Sequence, residues 1–353
     1  MTILNFIRPD LRTSKRYAPG GQNMLSRLHQ NELPWEPQAL INTRLNQYPS
    51  HGEGQKLTAI LASQYQVNHD QLLITRGSDE GIDLLMRLFL TPGADSMMQC
   101  PPTFSMYAFF ARLQQVNRID CPLMSDDFRL NLDLIQSAWV SGCKMIMLCR
   151  PNNPTGNLLE LADVIALCRY FQNKAMIVVD EAYIEFSEVI SATSLIERFD
   201  NLIILRTLSK AYGLAGLRLG AVIARPELIQ ALSSIMAPFA LSDVVVSLAI
   251  RALQDKTWFV EGIQRIVSAR ASLIHDLQAF PWIEHVYPSA ANFILIKTPY
   301  TQSLFNWFAQ QGIAVRHFDA SSDLHHCLRI TVSDEVQNEH MMMALKKFRL
   351  VDN

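Results

Sequence analysis

Several patterns that would place a protein in a large functional class are missing from this sequence. It has no C-x-x-C pair and no H-E-x-x-H or comparable histidine spacing, so we expect no metal site. No apolar run reaches the length of a membrane span, and Arg8 and Asp10 interrupt the first apolar stretch before a signal-peptide core can form. Internal repeats and low-complexity tracts are absent as well. The sequence therefore predicts a cytoplasmic protein without a membrane partner.

An excess of charge of one sign is also missing. The 31 basic and 33 acidic residues give a formal net charge of -2, which provides no electrostatic reason to expect nucleic acid as a partner. With 49% hydrophobic and 18% charged residues, the 353-residue chain is typical of a globular protein with one large domain or two moderate ones. Its six cysteines lie mostly in apolar segments and are predicted to be reduced thiols. We expect small molecules as partners.

The middle of the chain alternates between short apolar runs and helical patterns, from about residue 70 to residue 224. This alternation predicts an α/β fold with a mostly parallel sheet between layers of helices. The runs "QLLIT", "KMIMLC", "AMIVV" and "NLIIL" are continuously apolar, which is typical of strands buried on both faces. After Pro238, long helical patterns lead into a smaller α+β unit whose last helix is expected to have Ser333 as its N-cap.

We expect three parts in the chain. Residues 36–245 are predicted to form the large domain and residues 246–353 the small one. Residues 1–35 have no sheet of their own and are expected to pack on the small domain or on a partner subunit.

Four of the predicted strands end in polar residues, and ligands bind beyond the carboxyl ends of parallel strands. Gly77 opens a helix after "QLLIT", which is either an anion site or simply a well-capped helix. The loop "RPNNPTG" either holds its asparagine amides in fixed directions or is a plain turn. Asp180, after "AMIVV", is either a helix cap or the partner of a cationic ring nitrogen.

The fourth strand end is Arg206 to Gly220, "RTLSKAYGLAGLRLG". A loop lysine such as Lys210 is ordinarily exposed, but a partly desolvated lysine near other cations can bind an aldehyde covalently. Nearby hydroxyls and the Arg218 guanidinium suit a phosphate dianion. The four strand ends together match the needs of pyridoxal phosphate, which requires a lysine, an aspartate at its ring nitrogen and an anion site.

The sequence also resembles a known family. The motifs "RGSDEGIDLL", "CPPTFSMY", "PNNPTG", "VVDEAYIEF", "RTLSKAYGLAGLRLG" and "CLRITV" occur in the order of the fold-type I pyridoxal-phosphate aminotransferases, and within them of the histidinol-phosphate aminotransferases. The resemblance runs from about residue 31 to residue 331. It implies a three-layer αβα large domain with a mostly parallel sheet and a smaller α+β domain.

The resemblance implies pyridoxal 5'-phosphate as the cofactor and assigns its contacts. Lys210 is expected to bind the aldehyde and to move the proton between Cα and C4′, while Asp180 pairs with the ring nitrogen. Tyr183, the third expected catalytic residue, contacts the phenolic oxygen with Asn153. Phe104, where the family usually has tyrosine, is expected to lie over the ring. The residues expected to bind the phosphate are Gly77, Ser78, Asp79, Thr207, Ser209, Arg218 and, from the neighbouring subunit, Tyr48.

Because Tyr48 matches a tyrosine that reaches into the neighbouring subunit, the resemblance implies a homodimer with shared active sites, although a plain turn tyrosine fits "NQYPSHG" too. Arg329 and Arg316 match positions that receive the phosphate or carboxylates of the substrates. Asn31 and Tyr17 match substrate-side positions more loosely. Arg150 departs from the family, which commonly has a small or amide residue there.

The implied reaction is transamination of L-histidinol phosphate with 2-oxoglutarate, in histidine biosynthesis, by a histidinol-phosphate transaminase. Three alternatives stay open. One is an aromatic amino-acid aminotransferase, another is a lyase that decarboxylates threonine phosphate on the same fold, and the third is a binding or regulatory protein with an inactive site.

Overall fold

The computed structural model describes residues 26–29, 31, 51–319 and 322–349. The expected contacts Tyr17 and Tyr48 lie outside these residues. The first described segment pairs with a distant part of the chain, since Ser26 and Arg27 of β1 (Ser26–Arg27) pair in parallel with residues 313 and 314.

A seven-stranded sheet forms the centre of the molecule. Its strands, given with their bounds, are β2 (Leu72–Thr75), β3 (Ser96–Gln99), β4 (Asn117–Asp120), β5 (Cys143–Cys149), β6 (Met176–Asp180), β7 (Leu202–Thr207) and β8 (Gly220–Ile223). Across the sheet they follow the order β2-β8-β7-β6-β5-β3-β4. β8 is antiparallel to both of its neighbours and the other pairs are parallel. The prediction of a mostly parallel sheet is confirmed.

Helices cover both faces of this sheet. The helices within the described residues are α1 (His51–Tyr65), α2 (Gly77–Phe89), α3 (Met106–Leu113), α4 (Leu132–Ser137), α5 (Leu161–Tyr170), α6 (Pro226–Ile235), α7 (Asp243–Gln254), α8 (Lys256–Leu277), α9 (Thr301–Gln310) and α10 (Glu335–Lys347). Buried side chains of α2, α3 and α6 form one apolar cluster, and those of α1, α5, α7 and α8 belong to another. Successive strand residues alternate between the clusters: Ile177 and Val179 join the larger one and Val178 the smaller. The continuous apolar runs thus arise because both faces are buried.

A second, four-stranded sheet follows in the chain. Its strands are β9 (His285–Val286), β10 (Phe293–Lys297), β12 (Arg316–His317) and β13 (Cys327–Thr331), and the short β11 (Ile313–Ala314) is the partner of β1. The sheet has the order β12-β13-β10-β9 with antiparallel pairs. With α9 and α10 it forms the smaller α+β unit that the sequence predicts.

One predicted detail of that unit is wrong. The N-cap of α10 is Asp334, not Ser333, because the Asp334 carboxylate accepts a hydrogen bond from the Gln337 N–H at 2.8 Å. The Ser333 N–H instead donates to the Asn338 side chain at 3.0 Å. The longer aspartate side chain reaches the orphaned N–H of the first turn, so the helix begins one residue later than predicted.

Membrane spans, metal clusters and disulfide bonds are the three features expected to be absent, and they concern the described part of the chain as follows. No helix there is long and apolar enough to cross a membrane. No group of histidine, cysteine, aspartate and glutamate side chains within these residues is arranged to hold a metal ion. All six cysteines fall in this part, and each is a buried free thiol.

Candidate active site

Three of the strand ends that carry polar residues in the sequence lie at one edge of the seven-stranded sheet. The parallel strands β2, β6 and β7 all end there, in Thr75, Asp180 and Thr207. β8 runs in the opposite direction and therefore begins at the same edge, where Gly220 is the register partner of both Thr75 and Thr207. The strand ends with polar residues are thus brought together by sheet topology.

Several hydrogen-bond donors of the kind that bind phosphate lie at the start of α2. Gly77 has a φ of +73°, and an added Cβ would lie 2.7 Å from an Arg218 guanidinium nitrogen. That guanidinium donates to Ser209 Oγ and to Asp79 Oδ2, each at 3.3 Å. The first N–H groups of α2, including that of Ser78, have no partner within the helix. A guanidinium, a hydroxyl and a helix N-terminus around a glycine turn form a cradle suited to a phosphate.

The backbone of this cradle is tightly packed. A Cβ at Gly220 would lie 2.5 Å from both the Gly77 carbonyl carbon and the Ser78 nitrogen. Thr207, which was predicted to bind phosphate, is buried and holds the loop together: its hydroxyl accepts from the Ser209 N–H at 3.1 Å and donates to the Leu219 carbonyl at 3.3 Å. Only glycine fits at position 220, because the atoms it would meet are backbone atoms that cannot rotate away.

Asp180 lies at the end of β6 and is 2% exposed. Its Oδ2 accepts a hydrogen bond from the Tyr107 hydroxyl at 2.9 Å, and its Oδ1 accepts from the Ala182 N–H at 3.1 Å. Burial raises the pKa of Asp180 to about 6, and both hydrogen bonds act in the opposite direction. The carboxylate bonds to the local backbone but does not cap a helix, since Tyr183 is the N-cap of the 3-10 turn that follows, and it still has lone pairs for a cationic partner.

A chain of polar side chains links the two sheets beside Asp180. The Tyr183 hydroxyl accepts from the side-chain amides of Asn31 at 3.2 Å and Asn153 at 3.1 Å. Arg329 on β13 donates to the Asn153 side-chain oxygen and, at 3.0 Å, to the His29 carbonyl. Burial raises the pKa of Tyr183 to about 12, so its phenol keeps its proton at neutral pH. The structure therefore joins the two residues expected at the phenolic oxygen, Tyr183 and Asn153, to the two expected on the substrate side, Asn31 and Arg329.

Lys210 and Phe104 border the same region. Lys210 is half-buried, with its Nζ 5.8 Å from the centre of the Tyr183 ring, and so differs from an ordinary exposed loop lysine. Phe104 meets the Tyr107 ring edge to face, with the ring centres 5.5 Å apart. Through Tyr107, the expected stacking residue is connected to Asp180.

The two remaining arginines lie in different surroundings. Arg316 on β12 is exposed and is the register partner of Arg329. Arg150, the residue that departs from the family pattern, is buried, and its guanidinium donates to Glu181, the Leu159 carbonyl and the Ile190 carbonyl. None of these partners is a predicted site residue. Arg150 is therefore part of the interior and not a substrate contact.

Sequence reasoning missed several residues that support the site. Tyr107 lies within the quoted motif "CPPTFSMY" but was not singled out, because a helix tyrosine on an apolar face is typical of a core. The Thr331 hydroxyl accepts from the Asn31 N–H at 3.1 Å and donates to the Asn31 side-chain oxygen at 2.7 Å, and Asn292 donates to the Asn31 carbonyl at 2.8 Å. These pairs are about 260 to 300 positions apart in the chain, so no local pattern could have indicated them.

Comparison with known proteins agrees with this geometry. Residues 22–345 match the family described as aminotransferase class I and II. The chain belongs to this family. The aminotransferase is 52% identical to histidinol-phosphate aminotransferase 1 of Legionella pneumophila (strain Lens) over 99% of its own length and 96% of the relative's. It is 38% identical to histidinol-phosphate aminotransferase 1 of Haemophilus influenzae (strain 86-028NP), over 99% and 100% of the two chains. The predicted family is confirmed.

Solved structures show the same fold for this aminotransferase. The histidinol-phosphate aminotransferase of Sinorhizobium meliloti, in complex with pyridoxal-5'-phosphate, superposes with a TM-score of 0.84 at 23% identity and covers 96% of this chain and 95% of its own. L-threonine-O-3-phosphate decarboxylase of Porphyromonas gingivalis gives a TM-score of 0.76 at 21% identity, with coverage of 92% and 99%. The fold-type I architecture predicted from the sequence is confirmed, and at these identities the likeness concerns the fold alone.

The residues present fit pyridoxal 5'-phosphate. The bare backbone of Gly77 lies so close to the Arg218 guanidinium that an added Cβ would be 2.7 Å from one of its nitrogens, and such an exposed glycine backbone lets a phosphate approach closely. Asp180 is a buried carboxylate with acceptor capacity left for a protonated ring nitrogen. The lysine, the aspartate and the anion site needed by this cofactor are all at one edge of the sheet.

Proposed function

We propose that this aminotransferase moves the amino group of L-histidinol phosphate to 2-oxoglutarate, giving 3-(imidazol-4-yl)-2-oxopropyl phosphate and L-glutamate, as a step of histidine biosynthesis. The names of the relatives that are 52% and 38% identical support this substrate. The structural observation that carries the proposal is the arginine pair on β12 and β13.

Arg316 and Arg329 are direct register partners on antiparallel strands. Side chains that lie opposite one another on such strands share a face of the sheet, and like charges in this position repel. A bound anion would offset the repulsion. Both proposed substrates carry one, since the amino donor has a phosphate and the co-substrate has two carboxylates. Arg329 is mostly buried and fixed by Asn153 and the His29 carbonyl, so it is the anchored member of the pair.

The cofactor is pyridoxal 5'-phosphate, which when bound supplies an aldehyde carbon and an electron-withdrawing ring. We assign the remaining tasks to residues of this chain. Lys210 would bind the aldehyde carbon until the substrate amine displaces it, and its freed amine would then move the proton between the substrate Cα and C4′. Asp180 accepts the ring-nitrogen N–H. Gly77, Ser78, Asp79, Ser209 and Arg218 hold the phosphate, and Thr207 fixes the loop that presents Ser209.

Tyr183 is assigned as a donor to the phenolic oxygen of the cofactor. Its hydroxyl oxygen already accepts two amide N–H groups, from Asn31 and Asn153. A phenol that accepts twice still has its own proton to donate. The raised pKa of Tyr183, about 12, keeps that proton in place at neutral pH.

The assembly and the domain division are also proposals. We propose a cytoplasmic homodimer in which Tyr48 reaches the phosphate of the neighbouring active site and Tyr17 lies on the substrate side. Buried free thiols at all six cysteines agree with a reducing compartment. The proposed division after residue 245 falls inside α7 (Asp243–Gln254), and Asn31 bonds to Asn292 and Thr331 of the proposed small domain.

The amino donor can be tested with half-reactions of the purified enzyme. Histidinol phosphate, phenylalanine and threonine phosphate are added separately without a keto acid, and the loss of the visible band of the lysine-bound cofactor is followed. We expect the fastest loss with histidinol phosphate and ping-pong kinetics once 2-oxoglutarate is present. Preference for phenylalanine would indicate the aromatic alternative, and release of carbon dioxide from threonine phosphate would indicate the lyase. Absence of the band from the purified protein would indicate an inactive site.

The arginine pair gives a second test. Arg316→Gln should raise the KM for histidinol phosphate at least about tenfold, since a charge-assisted bond to a phosphate is lost. Arg265→Gln is the matched control, because Arg265 is also exposed but pairs with Glu261 within α8. An unchanged KM in the Arg316 variant would contradict the role of the pair.

A further inference from the structure

Tyr107 is a buried phenol with no assigned role. It lies on α3 and is completely buried, in the apolar cluster between α2, α3 and the sheet. A buried hydroxyl without a partner is unfavourable, so a tyrosine in such a place usually has a polar target. Here the hydroxyl donates to Asp180 Oδ2 at 2.9 Å.

Strand alternation explains why this contact is possible. Val178 on β6 belongs to the same cluster as Tyr107, and Asp180 follows two residues later on the same face. On the neighbouring strand β5, Cys149 is the register partner of Asp180 and belongs to that cluster as well. The Asp180 carboxylate therefore faces an apolar layer of side chains, and the Tyr107 hydroxyl of that layer lies within hydrogen-bond distance of it.

The two hydrogen bonds to Asp180 come from different elements. Ala182 N–H, just beyond β6, holds Oδ1 at 3.1 Å, and the Tyr107 hydroxyl on α3 holds Oδ2 at 2.9 Å. With both oxygens held, the plane of the carboxylate is fixed against rotation. Each bond also favours the charged form of the carboxylate over the neutral form.

Tyr107 has a second contact with a cofactor-facing residue. Its ring lies edge to face against Phe104, at 5.5 Å and 85°. Phe104 has no hydroxyl that a hydrogen bond could fix, so its ring is positioned by packing contacts such as this one. One side chain thus touches both the expected partner of the ring nitrogen and the expected stacking residue.

We propose that Tyr107 is a positioning residue for the cofactor ring: its hydroxyl holds the Asp180 carboxylate in the orientation and charge state that keep the ring nitrogen protonated, and its ring edge supports Phe104. This inference deepens the proposed function, because it rests on the proposed pairing of Asp180 with the ring nitrogen. Burial raises the pKa of Asp180 while the Tyr107 hydrogen bond lowers it, which agrees with this role. Other titratable groups that interact with the carboxylate are Asp79, Glu181, Cys149 and Tyr183.

The test uses Tyr107→Phe, which keeps the ring and removes only the hydroxyl. The holoenzyme is reconstituted with cofactor labelled with ¹⁵N in the ring, and the ¹⁵N chemical shift is measured without any substrate. We expect the shift to move towards the value of a neutral pyridine, because the carboxylate then has greater affinity for the shared proton. We also expect the dissociation constant of the cofactor to rise about tenfold, the size expected from one hydrogen bond to a charged group.

Two further variants separate the possible outcomes. Tyr65→Phe removes the hydroxyl of another buried tyrosine, which lies against Arg206 and not against Asp180, so it should leave the ¹⁵N shift unchanged. Asp180→Asn should move the shift further than Tyr107→Phe does. A wild-type shift and affinity in the Tyr107 variant would overturn the inference, even if the protein were less stable.

The outcome is independent of the proposed substrate, since no amino donor is added. If Asp180→Asn leaves the shift unchanged, the pairing of Asp180 with the ring nitrogen fails and the inference fails with it. If histidinol phosphate proves not to be the donor, the substrate proposal fails while the Tyr107 result stands.

Discussion

The buried ion pairs behind the candidate site allow one prediction to be worked out in detail. Glu181 is fully buried and accepts hydrogen bonds from Arg150 at 3.0 Å, from Arg206 at 3.4 Å and from the Ala192 N–H at 2.8 Å. Arg206 also pairs with Glu185 at 2.7 Å. The two arginines and two glutamates balance in charge. Glu181→Gln would leave this interior with one uncompensated positive charge and an N–H₂ group facing a guanidinium.

The expected loss of stability is large because the charged side chains of this cluster are buried. Removing one partner of a buried pair costs about 3–5 kcal/mol, most of it the penalty of a charge left without compensation. Unfolding entropy is roughly 2.1 cal/mol/K per residue, or about 0.7 kcal/mol/K for a chain of this length. The melting temperature should therefore fall by about 4–7 °C.

The assay is thermal unfolding of wild-type and variant apoenzyme, followed by circular dichroism at one scan rate. Glu261→Gln is the matched control, because Glu261 pairs with Arg265 at 3.4 Å on the surface, with more than half of each side chain exposed. An exposed pair contributes about 1 kcal/mol or less, so its loss should change the melting temperature by about 1 °C. The double variant Arg150→Met/Glu181→Gln restores charge balance and should recover part of the loss.

Two results would refute this reasoning. One is a melting temperature for Glu181→Gln that equals that of Glu261→Gln, which would mean that water or rearrangement compensates the charge. The other is a double variant as unstable as the sum of its single variants, which would mean that the two side chains do not interact energetically.

Three further predictions concern the site itself. Gly220→Ala should weaken cofactor binding at least about tenfold in an equilibrium titration, because its Cβ would overlap the Gly77–Ser78 peptide. The control variant Gly216→Ala should bind the cofactor normally, because a Cβ there meets nothing within 4 Å. Equal cofactor affinities of the two variants would contradict the tight packing at Gly220. Lys210→Ala should lose the visible band of the lysine-bound cofactor, and a retained band would exclude Lys210 as its attachment point. The folded pKa of Asp180, about 6, lies above its ordinary value of 3.8, so its stabilising contribution to the apoenzyme is fully present below about pH 4 and is lost as the pH rises through 6. Wild-type apoenzyme should therefore lose on the order of 3 kcal/mol relative to Asp180→Asn between pH 4 and pH 7, and parallel pH profiles of urea unfolding would show that the carboxyl does not titrate in this range.

Much of the fold could be predicted from local sequence. "KMIMLC", "AMIVV" and "NLIIL" became β5, β6 and β7, because a strand buried on both faces must be apolar at consecutive positions. The same local information misplaced the last N-cap by one residue, at Ser333 instead of Asp334. It predicted a mostly parallel sheet, but the single reversed strand β8 depends on pairing between distant segments.

Local sequence also predicted which chemical groups the site contains, since a lysine, an aspartate and a glycine turn each follow a recognisable strand. It could not show which of them are close in space. The Asn31–Tyr183–Asn153–Arg329 chain joins both sheets, and the Arg150 guanidinium is buried against Glu181. Roles assigned to Tyr17 and Tyr48 lie outside the described residues and stay predictions.

The sequence by itself thus determined the elements and their chemistry, because apolar periodicity and turn residues act over a few neighbouring positions. Only the tertiary structure decided that the Tyr107 hydroxyl meets Asp180 and that Gly220 meets Gly77. Those contacts depend on strand order and on which face each side chain occupies, and both are set by burial of the whole sheet between two layers of helices.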